Sequence, residues 1–195
     1  FVVLAVTANV LSALLAWAGI AFYVIIYTVW LKRTTWQNIV IGGAAGAIPP
    51  LVGWAAVTGE LSFLAWVLFT LVFLWTPVHF WALALMIKDD YGAVGVPMAP
   101  NVIGDRNTVL QMIMYAVLTF ALTLIPFFMH EFSLLYFVAA LALNLVLVWR
   151  VWRLWQAVDR GEKIDKVVAL PVYKYSMSYL ALLFLAMAID RAIFF

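Results

Sequence analysis

The sequence predicts an all-α fold, a polytopic bundle of membrane-spanning helices forming one domain over residues 1–195. Three observations carry this. The chain is 68% hydrophobic and only 10% charged, with a mean hydropathy of +1.11, whereas roughly a quarter of a soluble domain is charged. The apolar residues fall in repeated runs of about 20, the length that crosses a bilayer as a helix. Finally, those runs do not alternate apolar with polar residues, and backbone groups in lipid must be satisfied internally, so helices are favoured over a barrel.

Taken in order, residues 1–8 read as the tail of a span ended by Asn9. Residues 11–30 form the first complete span, closed by Lys32 and Arg33. The next spans are expected at 38–57, 63–87, 109–128, 134–151 and 172–188. Small residues at helical spacing (Gly42, Gly43, Gly46) point to close helix packing in the second span, and Pro49-Pro50 bends it near its middle. Pro77 is expected to kink the third. Two long loops are expected, over residues 88–108 and 153–171. The chain opens on Phe1-Val2-Val3-Leu4, already membrane helix in character and without an initiator Met, so its natural N-terminus reads as missing.

Charge sets the expected orientation. Loops alternate sides, which gathers Lys32, Arg33, Lys88, Arg106, Arg150, Arg153, Arg160, Lys163, Lys166 and Lys174 on one face and leaves only Arg191 on the other. By the positive-inside rule the basic face is cytoplasmic, or faces the matrix in a mitochondrial protein, and a bacterial inner membrane is the expected location. Trp30, Trp36, Trp149, Trp152 and Trp155 form an aromatic belt there, with Trp54 and Trp66 at the opposite interface. Cysteine is absent, which excludes disulfides, thiolate metal sites and a cysteine nucleophile. A net charge of +2 gives no case for nucleic acid.

Against this background a few residues stand out. Asp89 and Asp90 sit where the third span meets the basic face. Neighbouring carboxylates suit Mg²⁺, which takes one or two of them together with phosphate oxygens. Their alternative is a solvated helix end, although acids at a helix C-terminus oppose its dipole. His79 lies about 15 Å below Asp89 at ~1.5 Å per residue. An ionisable group at that depth is a functional hypothesis by default, as iron ligand, proton carrier or hydrogen-bond donor; a histidine bonded to a neighbouring backbone is the alternative. Lys32 and Arg33 share the face of the aspartates and suit diphosphate or carboxylate, or they simply anchor the helix. Arg150 and Arg153, three apart, read as snorkelling anchors.

These residues fall into two runs. One comprises Tyr27-Thr28, Leu31-Lys32-Arg33-Thr34, Asn38, Gly42-Gly43, Gly46-Ala47-Ile48-Pro49-Pro50 and Gly53-Trp54. The other comprises Trp75-Thr76-Pro77, His79-Phe80-Trp81-Ala82-Leu83-Ala84, Asp90-Tyr91, Gly95-Val96-Pro97-Met98, Pro100 and Gly104. Together they resemble the protohaem IX farnesyltransferase (haem O synthase) family of UbiA-type intramembrane prenyltransferases. The resemblance implies nine transmembrane helices around a cavity, of which the visible ones correspond to helices three to nine. Two Asp-rich motifs are implied, with Asp89 and Asp90 in the second and the first lying before Phe1. It also implies transfer of farnesyl from farnesyl diphosphate to a vinyl group of haem b.

In that reading Asp89 and Asp90 hold Mg²⁺, while Lys32, Arg33, Lys88, Asn38 and Tyr91 serve substrate binding. Tyr27, Phe80 and Trp81 stabilise the allylic cation through their faces, and His79 ligates or orients the haem. Haem A synthase enters as a partner taking the product, and membrane lipid as the surroundings. The rivals are a UbiA-type enzyme acting on an aromatic quinone precursor and a transporter. Broken helices suit a transporter, but its charges should line a path through the membrane rather than gather at one face.

Overall fold

The computed structural model describes residues 1–194, and every element in them is helical. Six helical segments are long and apolar enough to cross a membrane: Val10–Arg33, Asn38–Thr58, Phe63–Met86, Gly104–Phe128, Leu134–Asp159 and Lys166–Phe194. The protein is therefore a multi-pass integral membrane protein, with the expected six spans and a short preceding helix, α1 (Val2–Thr7).

Local chemistry sets most of the boundaries. Asn9 starts α2 (Val10–Ala21) by accepting from the Ser12 N–H at 2.8 Å. The second span divides into α3 (Asn38–Gly46) and α4 (Ile48–Thr58), because Pro49 and Pro50 occupy the first turn of a new helix where missing N–H groups are tolerated. Ser62 caps α5 (Phe63–Met86), which runs through Pro77 as one helix. Ser133 caps α8 (Leu134–Asp159).

Three features differ from the sequence expectation. First, α2 passes into a π-helical stretch, Phe22–Trp30, and then a 3₁₀ turn, Leu31–Arg33. Crowded aromatic and β-branched residues (Phe22-Tyr23-Val24-Ile25-Ile26-Tyr27) fill that stretch, and the wider turn lets Tyr23 and Tyr27 stack with centroids 5.4 Å apart. Second, the expected 88–108 loop is mostly helix: α6 (Lys88–Ala93), then α7 (Ala99–Phe128), whose first residues are set off from its span at Gly104. Gly104 has φ 79° and ψ 163°, a conformation open essentially to glycine alone. Third, the expected 153–171 loop shrinks to residues 160–165. The helix α8 continues to Asp159, and α9 (Lys166–Phe194) begins with Asp165 accepting from the Val167 and Val168 N–H groups. Charged residues end the apolar run without ending the helix.

The core lies among α5, α7, α8 and α9, which contact one another in a closed ring. Buried polar side chains join them inside: Tyr179 donates to Asn144 Oδ1 at 2.9 Å, Asn144 Nδ2 to Thr123 Oγ1 at 2.7 Å, and Tyr136 to the Thr123 carbonyl at 2.8 Å. Near the end of α9, fully buried Asp190 accepts from Ser133 N–H, Ser133 Oγ–H and Tyr136 N–H. It thereby caps α8 from a different helix. Outside this ring α3 packs against α5 and carries the π stretch on its other side.

Candidate functional site

A cavity of about 400 Å³ opens where the π stretch, α3 and α5 meet. Tyr23 and Tyr27 form one wall, Ile39, Gly42, Gly43 and Gly46 a second, and Val72, Trp75, Thr76, His79 and Phe80 the third. The glycines have a steric job. A Cβ on Gly42 would run into the Tyr27 ring, and one on Gly43 would meet Thr76 Cγ2 at 3.0 Å. The Gly42-Gly43 pair thus lets both neighbouring helices approach closely.

His79 is 8% exposed, with its ring stacked between Trp75 (centroids 4.6 Å) and Tyr173 of α9 (4.8 Å). Its Nδ1 lies 2.8 Å from Ser176 Oγ. Ser176 has one hydroxyl proton and donates it to the Tyr173 carbonyl at 2.7 Å. Ser176 therefore accepts from His79, which puts the imidazole proton on Nδ1 and leaves the Nε2 lone pair free. A neutral histidine held this way is a lone-pair donor beside an apolar, aromatic cavity. Ser176 and Tyr173 are 97 and 94 positions from His79 in sequence and carried no local signal. Trp75, which donates its indole N–H to the Ser176 carbonyl at 2.9 Å, was inside a recognised run but was not singled out.

The interfacial groups lie above this cavity. Lys32 is half-buried and Arg33 exposed in the 3₁₀ turn. Asp89 and Asp90 are exposed in the first turn of α6, not at the end of α5. Ile87 breaks the helix before them (φ −127°, ψ 30°), so the unfavourable dipole expected for them does not arise. The two segments are tied together by Asn38, whose Nδ2 donates to the Pro97 carbonyl at 3.4 Å, and by Trp36 beside Trp81 at 6.3 Å. Among the described residues neither aspartate is ion-paired with Lys32 or Arg33. Lys88 is instead held by Asp105 at 2.6 Å, a partner the sequence reading did not choose. Tyr91 is half-buried on α6.

Trp81 faces away from this cavity. Its ring is fully buried against Trp36 and Tyr115, outside the cavity, because one residue of helix turns the side chain about 100° away from Phe80. Asn38 is likewise fully buried and sits behind the cavity wall rather than on it.

The aspartates can be tested as a Mg²⁺ site from their donor set. No group of three or more acidic, histidine or cysteine side chains gathers among the described residues. Two adjacent, exposed carboxylates do suit a cation that completes its shell with water and substrate phosphate oxygens. They do not suit a metal held by protein ligands alone.

Comparison with known proteins adds the family. Residues 1–180 match the UbiA prenyltransferase family. The chain is 58% identical over 99% of its length to a Thermus thermophilus protein named protoheme IX farnesyltransferase, covering 31% of that relative. It is 56% identical over 99% of its length to a Deinococcus radiodurans protein of the same name, covering 62% of it. With a Gloeobacter violaceus protein, again of that name, it shares 53% identity over its full length, covering 62% of the relative. The chain thus spans less than two thirds of the relatives it matches. No solved structure matches it significantly.

Proposed function

The chain belongs to the UbiA prenyltransferase family, and from that premise we propose that the protein transfers farnesyl from farnesyl diphosphate to a vinyl group of haem b, making haem O. The observation that carries the reading is 53–58% identity, along nearly the whole chain, to proteins named for this reaction. The allylic C–O bond of farnesyl diphosphate breaks and diphosphate leaves. The farnesyl carbon bonds to the vinyl group, and water supplies the hydroxyl of the resulting hydroxyethylfarnesyl chain.

The residues divide this work by chemistry. Asp89 and Asp90 would hold Mg²⁺, which would supply neutralisation of the charge growing on the leaving oxygens. Lys32 and Arg33 bind diphosphate through charge-assisted hydrogen bonds, with Arg33 offering the planar fork. Lys88, fixed by Asp105, keeps a positive charge beside the aspartates. Tyr27 and Phe80 present aromatic faces to the allylic cation. Trp81 and Asn38 act from behind by shaping the wall, and Tyr91 closes the space next to Tyr27. The free Nε2 of His79 orients the haem or ligates its iron. In this reading the basic face is cytoplasmic, the membrane is the bacterial inner membrane, and haem A synthase takes the product.

The test is substrate choice by the full-length protein in membranes. Farnesyl diphosphate is supplied with haem b or with 4-hydroxybenzoate, and products are read by mass. Farnesylated haem and no prenylated benzoate is expected. Prenylated benzoate without a haem product overturns the haem assignment in favour of a quinone-type acceptor.

A further inference from the structure

A second hollow, of about 340 Å³, lies between the ends of α8 and α9 on the basic face, away from the aspartates and the His79 cavity. Arg150, Arg153 and Arg160 line it along one stripe of α8, with Ala157 on the same stripe leaving the space between them open. Glu162 also lines it and pairs with Arg160 at 2.7 Å. Three cations against one anion leave the hollow positive.

Arg150 departs from a snorkelling anchor. Such a side chain sends its charged head out to water or headgroups. Arg150 instead turns between the helices: its guanidinium lies 5.0 Å from the Tyr175 ring centroid, and Nη1 donates to the Pro171 carbonyl at 3.4 Å. Its Nε is buried with no hydrogen-bond partner. A buried guanidinium N–H left open is unfavourable by itself and calls for an acceptor. The depth is also informative. Arg150 lies about 24 Å along α8 from Leu134 at ~1.5 Å per residue, and Arg160 about 39 Å along. Against a hydrocarbon core of about 30 Å, the stripe passes through headgroup depth. Basic pockets between helices at this level bind anionic headgroups.

We propose that this hollow binds the phosphate of an anionic membrane phospholipid, with the Arg150 and Arg153 guanidinium groups as donors. The site is independent of the prenyl-transfer reading.

The experiment uses delipidated full-length protein in neutral detergent, with lipid binding read by native mass spectrometry and by the shift in Tm. Phosphatidylglycerol is expected to bind and raise Tm, while phosphatidylcholine is not. Arg153→Gln, an exposed change that leaves the helix packing alone, is expected to weaken phosphatidylglycerol binding about 5-fold. Arg150→Gln combined with Arg153→Gln should remove it. Lys163→Gln, on the same face but outside the hollow, should leave binding unchanged. Equal stabilisation by phosphatidylcholine, or equal losses from Lys163→Gln and Arg153→Gln, overturns the proposal. A Tm shift reproduced in full by inorganic phosphate overturns the lipid as source.

Discussion

Two parts of the membrane interior carry polar side chains, and they treat them differently. In the α7–α8–α9 interior, Asn144, Thr123, Tyr136, Tyr179 and Asp190 are buried and bonded to one another or to helix ends. Around the α3–α5 cavity, bonding stops short. His79 uses one ring nitrogen and leaves the other free. Beside the cavity lining, Asn38 Oδ1 and Trp81 Nε1 are buried without partners. Open polar groups are expensive in lipid, so the free nitrogen of cavity-lining His79 is a candidate point of ligand contact. A closed network holds helices together; an open one waits for something to complete it.

Mutations that separate activity from stability sharpen that contrast. The largest effect is expected from Asp90→Ala in the full-length protein. Losing the carboxylate proposed to hold Mg²⁺ should reduce haem O formation about 100-fold or more, with an unchanged unfolding midpoint in detergent; wild-type turnover would remove the metal role. His79→Ala comes next. Loss of a positioned ligand or orienting group should lower turnover about 10- to 100-fold, and the haem absorption spectrum should change. If both spectrum and rate stay at wild-type values, the open nitrogen has no part in binding haem.

In the closed region the effects should move to stability. Asn144→Leu strands the Tyr179 hydroxyl, which donates to Asn144 Oδ1, so unfolding free energy should fall by about 2 kcal/mol, while turnover per folded molecule is unchanged. Tyr179→Phe removes one bond and leaves the ring, so a loss of only about 0.6 kcal/mol is expected. A large drop in turnover without destabilisation in either variant would erase the distinction between the two regions.

Much of this was legible in the sequence. Apolar run length gave six spans, because the bilayer fixes that length before any packing is decided. Pro49-Pro50 divided the second span, and Tyr27, His79 and Phe80 all reached one cavity. Other features were not legible. The start of α9 at Lys166 was hidden because charge reports the membrane edge, whereas a helix ends only where its backbone does. The place of Trp81 behind the wall depended on which neighbour each face of α5 meets. The Ser176 and Tyr173 partners of His79 come from a helix nearly one hundred residues away, and no local pattern encodes that meeting. Two adjacent acids announced themselves, but the break at Ile87 that gives them a helix of their own did not.

The wide-wound stretch Phe22–Trp30 has a consequence for sequence length. A ladder bonding five residues back takes in more residues per turn than one bonding four back. Extra residues are thus absorbed there without rotating α2 below it or the Lys32-Arg33 turn above it. Deleting one residue within 22–30 would tighten the coil toward ordinary α geometry and swing one flank round its axis. The stacked tyrosines would part, and the two cations would face a different direction. This segment acts as a vernier, setting the angle between what is buried and what lies at the membrane surface.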